Sequence, residues 1–307
     1  MQQTDVTQLI GNTPLVRINH CGQQARIWAK AEFMNPGGSI KDRPGLAIIR
    51  AAETSGELQS GGTIVEATSG NTGVALCMVG AALGYQVVIA MPSSMSIERR
   101  KLMAAYGAKL LLTPPEKGMA GAVAAAQEYL DAHPEAVFAN QFENPANPQI
   151  HFDTTGPEIW RQTGGKVDTF VAGVGSGGTI TGVGKFLKAQ NPAIQIVAVE
   201  PAESPLLSGG KPGGHGIQGI GANFIPKNYD GAQVDAVLKV TTGQALQAAR
   251  ECASREGMLV GISAGANLVA AALLASKPEN ADTDIVTVLP DTGERYLSTP
   301  LFEDLEV

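Results

Sequence analysis

The sequence has little of the material that stapled, metal-binding or membrane proteins require. Its 307 residues include only three cysteines without C-x-x-C spacing, so neither a disulfide framework nor a cysteine zinc site is expected. The four histidines form no metal-ligand spacing either. The longest apolar run, residues 74–83, is too short to span a bilayer, and residues 1–14 lack a signal-peptide pattern. We therefore expect a cytoplasmic protein without a metal site.

Charge and composition restrict the class of ligand. The formal net charge is −7 and the chain has no basic run, which argues against nucleic acid and anionic membranes as partners. Hydrophobic residues make up 44% of the chain, and its length allows two domains with substantial cores. We expect a soluble globular protein whose ligands are small molecules.

Short β-rich runs alternate with alanine-rich helical stretches, which predicts parallel sheets with helices on both faces. The predicted strands are Thr63–Ala67, 86–91, Lys109–Thr113, Thr169–Gly173, 195–199 and Asp284–Leu289. The predicted helices are 73–83, 96–106, 118–131, 180–189, 243–256 and 266–275. Proline recurs at 142–148, and proline and glycine cluster at 208–221, which predicts a domain boundary at the first segment and a mobile loop at the second.

Lys41 is the strongest candidate nucleophile. It lies in the run N-P-G-G-S-I-K-D-R, residues 35–43, immediately before a helical stretch whose first turn contains Pro44. The unpaired N–H groups and the dipole at a helix N-terminus disfavour an ammonium ion, and this favours the free amine that a Schiff base requires. An ordinary first-turn lysine with its amine in solvent is the alternative at this point.

A first glycine-bearing turn, E-A-T-S-G-N-T-G at residues 66–73, places hydroxyl and amide groups before a predicted helix. Helix N-termini of this composition bind carboxylates and phosphates. Simple capping of the helix by Asn71 or Thr72 is the alternative.

A second turn, G-V-G-S-G-G-T at residues 173–179, satisfies the pattern G-x-G-x-x-G between a strand and a helix. Glu200 ends the next predicted strand at the distance expected for a ribose contact, so a nicotinamide enzyme is one interpretation. A single phosphate held by the N–H groups of residues 175–179 explains the turn equally well.

A third turn, G-I-S-A-G at residues 261–265, matches the nucleophile elbow G-x-S-x-G, with a predicted strand at 258–260 before it and a helix after it. An α/β-hydrolase requires an acid and then a histidine later in the chain, but the last histidine is His215. The order of residues therefore argues against a serine hydrolase. Ser263 is expected to be either a helix cap or a hydroxyl directed at a ligand.

Taken in order, these motifs resemble the cysteine synthase and cystathionine β-synthase family of fold-type II pyridoxal-phosphate enzymes. The resemblance runs from G-N-T-P-L at 11–15 to G-E-R-Y-L-S at 293–298 and so covers nearly the whole chain. It implies two three-layer α/β/α domains with mostly parallel sheets and helices on both faces. The larger, cofactor-binding domain would comprise 1–34 and 143–307, and the smaller, mobile, substrate-binding domain 35–142.

The same resemblance implies a β-replacement reaction that depends on pyridoxal 5′-phosphate. O-acetyl-L-serine and sulfide would be converted to L-cysteine and acetate through an α-aminoacrylate intermediate. A homodimer is implied, and the C-terminal tail of serine acetyltransferase is a further expected partner.

Site residues follow from the resemblance position by position. Lys41 is implied to hold the cofactor aldehyde as an internal aldimine, Asn71 to bind the 3′ oxygen, and Ser263 to face the pyridine nitrogen. The implied phosphate loop consists of Gly175, Ser176, Gly177, Gly178 and Thr179. The implied ligands of the substrate carboxylate are Thr68, Ser69, Asn71, Thr72 and Gln141. A neutral serine at the ring nitrogen favours β-elimination over transamination.

Two alternatives remain open within this interpretation. Residues 38–43 and 263–265 are closer to cystathionine β-synthases, which makes homocysteine an alternative acceptor, although the loop 211–221 resembles that of sulfide-using enzymes. The other alternative is a catalytically silent scaffold that binds an acetyltransferase tail. The presence of Lys41 argues against a scaffold, because a binding protein has no need of a Schiff-base lysine.

Overall fold

A computed structural model describes residues 4–21 and 24–303. Its strands are β1 (Leu15–Ile18), β2 (Arg26–Ala31), β3 (Thr63–Ala67), β4 (Gln86–Pro92), β5 (Lys109–Thr113), β6 (Val137–Phe138), β7 (Thr169–Gly173), β8 (Gln195–Pro201), β9 (Ala236–Val240) and β10 (Asp284–Leu289). Its α-helices are α1 (Asp42–Ser55), α2 (Asn71–Leu83), α3 (Ile97–Ala105), α4 (Gly118–Ala132), α5 (Ala146–Ile150), α6 (Gly156–Gln162), α7 (Gly178–Gln190), α8 (Thr242–Glu256) and α9 (Ile262–Ala275). A π-helical turn, His151–Thr155, connects α5 to α6.

Contacts between Cα atoms divide the chain into two units. Unit 1 comprises Met1–Ile10 and Lys41–Asn147, and unit 2 comprises Gly11–Ile40 and Pro148–Val307. The grouping thus places the first ten residues with the smaller unit, whereas the sequence analysis assigned them to the larger domain. The second boundary between the units, after Asn147, falls within the proline-bearing segment 142–148.

Unit 1 is built on a four-stranded parallel sheet in the order β5-β4-β3-β6. One face of the sheet packs against α1 and α2, where the buried side chains include Ile48 and Leu76. The other face packs against α4 through Ala122 and Ala126, whose small side chains allow the helix to approach the strands closely. Both faces of the sheet are therefore covered by helices, as parallel sheets require.

Unit 2 is built on a six-stranded sheet in the order β1-β2-β10-β7-β8-β9, parallel except for the antiparallel pair β1 and β2. Every residue of β10 is buried, because this strand lies between β2 and β7 and its two faces are covered. Helices α8 and α9 contribute to the core on one face, and α6 and α7 contribute to the core on the other. The predicted fold class, two mostly parallel α/β/α units, is confirmed.

All six predicted strands and all six predicted helices are present, with ends shifted by a few residues. Strands β1, β2, β6 and β9 were not predicted. The predicted strand at 258–260 is wrong: only Val260 forms a single bridge, with Thr292. Three residues with one bridging partner cannot form a ladder, so the segment is extended without being a strand. Within the described part of the chain, no helix combines the length and apolarity needed to cross a membrane.

Candidate functional site

Lys41 lies where the sequence predicts it, at the N-terminus of a helix. It is the N-cap residue of α1, and its own side chain makes no capping hydrogen bond. Its side chain is half-buried. The preceding residues, 35–40, are anchored in unit 2, where Ile40 N donates to Pro290 O at 2.7 Å and Thr292 N donates to Gly38 O at 3.2 Å. Residues 35–40, which lead into Lys41 and which we call the stem, are therefore held by backbone hydrogen bonds.

A buried charge network holds the start of this stem. The Lys30 ammonium lies 2.7 Å from a carboxylate oxygen of Glu158, and both side chains are almost fully buried. The other carboxylate oxygen of Glu158 accepts from Asn12 N at 3.0 Å, and Gly11 N donates to Asn35 Oδ1 at 2.8 Å. The G-N-T turn near the chain start is thus tied both to α6 and to the first residue of the Lys41 motif.

The turn at 66–73 leads from β3 into α2 in unit 1. Gly70 is the N-cap residue of α2, and Asn71 and Thr72 are its first two helical residues. Neither Asn71 nor Thr72 therefore occupies the N-cap position. Thr72 instead donates its hydroxyl to Gln141 Oε1 at 2.5 Å. Two of the residues expected to bind the substrate carboxylate are thus joined to each other.

Glu66 lies on β3 at the start of this turn, and its motif alone did not mark it as a functional residue. Its carboxyl group is fully buried, and burial raises its pKa to about 8 against the opposing effect of N–H groups from Gln141, Asn140 and Ala67. Gln141 N donates to Glu66 Oε2 at 3.4 Å. The signal in the sequence was a glutamate within an otherwise apolar predicted strand, because charged residues are rarely buried.

The phosphate loop predicted at 175–179 connects β7 to α7 in unit 2. Gly177 is the N-cap residue with a φ of +83°, and as a glycine it has no side chain with which to cap the helix. A Cβ atom on Gly175 would lie 2.3 Å from Gly219 O, and one on Gly177 would lie 2.7 Å from Tyr229 N. Glycine is therefore required at both positions. The first-turn N–H groups of α7 are the kind of donors that bind an anion at a helix N-terminus.

Glu200 does not have the environment that a ribose contact would need. Its buried carboxylate accepts hydrogen bonds from Leu207 N at 2.7 Å, from Ser208 N at 3.0 Å and from the Ser208 hydroxyl at 2.5 Å. These bonds occupy the carboxylate in holding the following loop. Glu200 therefore gives no support to the interpretation of the protein as a nicotinamide enzyme.

His151 is a neighbour of the phosphate loop that sequence reasoning missed. It is buried in the π-helical turn, with Nε2 3.3 Å from Thr179 Oγ1 and Nδ1 2.9 Å from Thr155 Oγ1. The histidines were considered only for metal-ligand spacing, and nothing in the local pattern predicts a π turn. The only signal in the sequence was Thr155, a hydroxyl-bearing residue four positions after His151.

Ser263 lies in the first turn of α9 and is buried. Gly261 is the N-cap residue of that helix, and among the described residues no side chain caps it, so the interpretation of Ser263 as a helix cap is wrong. A Cβ atom on Gly219 would lie 3.6 Å from Ser263 Oγ. Within unit 2 the same glycine thus lies near both Gly175 and Ser263.

The side chains and backbone groups present fit pyridoxal phosphate. Unit 2 offers a helix N-terminus with a glycine as its N-cap residue, preceded by glycines that no larger residue can replace, which suits a phosphate dianion. It also offers a buried neutral hydroxyl, Ser263, suited to an unprotonated ring nitrogen. Unit 1 offers the amine of Lys41 for an aldehyde and the bonded pair Thr72 and Gln141 for a carboxylate.

Comparisons with known proteins agree with this donor set. The model of the family described as pyridoxal-phosphate dependent enzyme matches residues 6–291. A cysteine synthase of Staphylococcus aureus is 50% identical over 302 residues, which are 97% of this chain and 96% of that protein.

Two solved structures from Entamoeba histolytica each match the whole of this chain and 93% of their own. A cysteine synthase (OASS) has a TM-score of 0.97 at 43% identity, and an O-acetyl serine sulfhydrylase isoform 3 has a TM-score of 0.96 at 44% identity. Similarity of this extent disfavours the nicotinamide and hydrolase interpretations. The chain belongs to the family of pyridoxal-phosphate dependent enzymes.

Proposed function

We propose that the protein is a cysteine synthase that converts O-acetyl-L-serine and sulfide to L-cysteine and acetate. The observation that carries this proposal is the likeness to cysteine synthases over almost the entire chain. The family supplies the cofactor, pyridoxal 5′-phosphate. The homocysteine and scaffold alternatives are not favoured by the comparisons.

Lys41 is the proposed catalytic residue. When bound, pyridoxal phosphate withdraws electrons from the substrate α-carbon and so acidifies the α-proton. The amine of Lys41 would hold the cofactor through its aldehyde, and when free it would accept the α-proton of the substrate. Acetate leaves from the β-carbon, sulfide adds there, and the proton returns to the α-carbon. The N-cap position of Lys41 supports this role, because the helix dipole disfavours a permanent ammonium.

The remaining cofactor contacts are proposed from the arrangement within each unit. The loop of Gly175, Ser176, Gly177, Gly178 and Thr179 holds the phosphate at the N-terminus of α7. Ser263 orients the ring through its nitrogen, and Asn71 binds the 3′ oxygen. Because the serine is neutral, it leaves the ring nitrogen unprotonated, which favours β-elimination over transamination.

The substrate carboxylate is proposed to bind at the start of α2. Thr68, Ser69, Asn71, Thr72 and Gln141 supply hydroxyl, amide and backbone donors there. The bond between the Thr72 hydroxyl and Gln141 Oε1 supports this role, since it brings two of these polar side chains together at the start of α2.

Broader organisation is also part of the proposal. Unit 2 is the larger, cofactor-binding domain, and unit 1 is the smaller, mobile, substrate-binding domain. We propose a homodimer that binds the C-terminal tail of serine acetyltransferase. We also propose a cytoplasmic location, supported by the three free cysteines, Cys21, Cys77 and Cys252.

Visible absorbance of the purified protein tests the reaction. The cofactor-loaded protein should absorb in the visible region, shift on addition of O-acetyl-L-serine and revert on addition of sulfide with formation of cysteine. Homocysteine in place of sulfide should leave the shifted spectrum largely unchanged. A protein that takes up no cofactor, or one that reverts with homocysteine only, would reject the proposal.

Substitution of Lys41 tests its role directly. Lys41→Ala should lower the rate of cysteine formation by at least 10³-fold, on the scale of losing a catalytic nucleophile and base, while leaving thermal unfolding unchanged. Lys239→Ala is the control, because Lys239 is an exposed lysine on the edge strand β9. Undiminished turnover by Lys41→Ala would remove the assignment.

A further inference from the structure

Residues 216–221, G-I-Q-G-I-G, form a turn that contacts both the phosphate loop and Ser263, and we call it the glycine turn. The carbonyl oxygen of Gly219 lies 2.3 Å from the position that a Cβ atom on Gly175 would occupy. The Cβ position of Gly219 itself is 3.6 Å from Ser263 Oγ. Any displacement of Gly219 would therefore alter the space on both sides of it.

His215 closes the glycine turn at its far end. The imidazole Nε2 lies 2.8 Å from Gly221 O, and since a carbonyl only accepts, Nε2 carries the proton and donates. Gly221 has a φ of +66°, and a Cβ atom on it would lie 2.6 Å from His215 Nε2. Gly221 N in turn donates to Val174 O at 3.0 Å, one residue before Gly175. The imidazole thus holds the turn where it meets the phosphate loop.

The glycine turn has anchors of its own besides His215. Gly216 N donates to Thr242 Oγ1 at 2.9 Å, and Ile217 and Ile220 are buried in the core of unit 2. His215 is only half-buried, and its Nδ1 has no hydrogen-bond partner among the residues that the structure describes. Removing the imidazole should therefore shift the turn without unfolding the unit.

We infer that His215 is a positioning residue for the cofactor. By donating to Gly221 O it keeps Gly219 between Gly175 and Ser263, and so sets the separation between the group that holds the phosphate and the group that faces the ring nitrogen. The inference rests on the roles proposed above for the phosphate loop and for Ser263.

Three variants test the inference. His215→Leu removes the donor, whereas His215→Gln keeps an N–H group near the position of Nε2. His133→Leu is the matched control, because His133 Nδ1 makes a comparable bond of 2.9 Å to Tyr129 O in unit 1. The measurements are the dissociation constant of pyridoxal phosphate from the apoprotein, the ³¹P chemical shift of the bound phosphate, and the melting temperature of the apoprotein.

Loss of one neutral hydrogen bond corresponds to a roughly 5-fold weaker binding of pyridoxal phosphate by His215→Leu. Its ³¹P shift should change, its apoprotein should melt like the wild type, and His215→Gln should restore both the affinity and the shift. His133→Leu should bind the cofactor like the wild type. Equal affinity and an equal ³¹P shift in His215→Leu, or an equal loss in His133→Leu, would overturn the inference. A wild-type protein that binds no pyridoxal phosphate would instead reject the proposed function.

Discussion

At the residue scale, Gly175 shows a glycine that is required by contact and not by backbone angle. Its φ lies outside the left-handed region, but an added Cβ atom would lie 2.3 Å from the carbonyl oxygen of Gly219. The three nearest atoms all belong to the backbone of Gly219 and Ile220, so no flexible side chain can move aside. The loop that is proposed to hold the phosphate is therefore specified by packing within unit 2.

Gly175→Ala should destabilise the fold by about 1–3 kcal/mol, the usual cost of overpacking, and weaken cofactor binding. Gly243→Ala is the control, since a Cβ atom there would meet nothing within 4 Å and the position lies in the first turn of α8. The control should be neutral or slightly stabilising, because alanine is the better helix former. Urea unfolding and a pyridoxal phosphate titration measure both effects, and equal behaviour of the two variants would contradict the packing argument.

The buried carboxyl group of Glu66 makes stability depend on pH. Its pKa is raised from 4.5 to about 8 in the folded protein by burial. Below pH 4.5 both the folded and the unfolded state hold the proton. Between 4.5 and about 8 the unfolded state releases it while the folded state retains it, so the contribution of this group to stability falls as pH rises through that window.

Glu66→Gln should remove this dependence, because the amide does not titrate. The free energy of unfolding of the variant should gain on that of the wild type as the pH is raised from 5 to 8, and the difference should then become constant. Urea denaturation at a series of pH values measures it. A difference that does not vary with pH would show that Glu66 ionises normally in the folded protein.

The sequence was informative for residues whose role depends on a local motif. Lys41, Thr72 and Ser263 are candidates because each lies in a turn of recognisable composition at the start of a helix, and their roles stay predictions. His151 and the hydrogen bonds of Glu66 were not found, because they depend on partners 28 and 75 positions away along the chain. Contacts at such separation follow from the sheet order, which local patterns do not encode.

At the element scale, α3 is linked to the turn that is proposed to bind the substrate carboxylate. Arg99 Nη1 donates to Ser69 O at 3.1 Å, and Ser96 caps the helix through Arg99 N. The helix thus holds one residue of the turn through a charged side chain while remaining half-exposed itself. Its position should affect how well the turn is ordered before substrate binds.

Arg99→Met should raise the KM for O-acetyl-L-serine by roughly 5- to 20-fold, since a hydrogen bond from a charged donor contributes about 1.5–3 kcal/mol and part of it is recovered from water. The kcat should change less. Lys101→Met is the control, because Lys101 is an exposed residue on the same helix. Steady-state kinetics of both variants measure the two constants. An equal KM for Arg99→Met and Lys101→Met would argue against a role of the Arg99–Ser69 hydrogen bond in substrate binding.

Burial explains only part of which strands were predictable, since β5 was predicted although it has the same burial pattern as β9. Strands covered on both faces, such as β4 and β10, are continuous apolar runs with clear ends. Strand β1 has one buried residue in four, and the edge strand β9 has one in five, so neither shows a clean pattern. Strand β6 has only two residues and is defined by its pairing with β3.

At the scale of the whole molecule, all three cysteine thiols have raised pKa values. Burial and the nearby Glu256 raise the pKa of Cys21 to about 11, and burial raises the pKa values of Cys77 and Cys252 to about 12. At pH 8 a thiol with a pKa of 11 is a thiolate in about one molecule per thousand, and the thiolate is the reactive form.

The native protein should therefore be alkylated by iodoacetamide at pH 8 far more slowly than a free thiol, by at least about 10-fold at every cysteine. In denaturant all three cysteines should react at the ordinary rate. Mass spectrometry of intact and digested protein at timed intervals measures both rates. Rapid alkylation of any of the three in the native protein would contradict the raised pKa values.

The division of the chain between the two sheets was the part that the sequence could not supply from patterns. Strand β2 pairs with β10, although Arg26 and Asp284 are separated by most of the chain. Local periodicity predicts each strand separately and contains no information on which strands pair. The resemblance to a known family implied a discontinuous domain, which no motif taken alone indicated.

The central position of β10 has a consequence for synthesis on the ribosome. Unit 1 has all its strands once residue 147 has been made, whereas the sheet of unit 2 remains in two pieces, β1-β2 and β7-β8-β9, until β10 emerges. The inner edges of β2 and β7 stay unpaired during that interval and are open to non-native pairing. Completion of the larger unit therefore waits for β10, the last of its strands in the sequence, and nascent chains stalled before residue 284 are the form most dependent on chaperones.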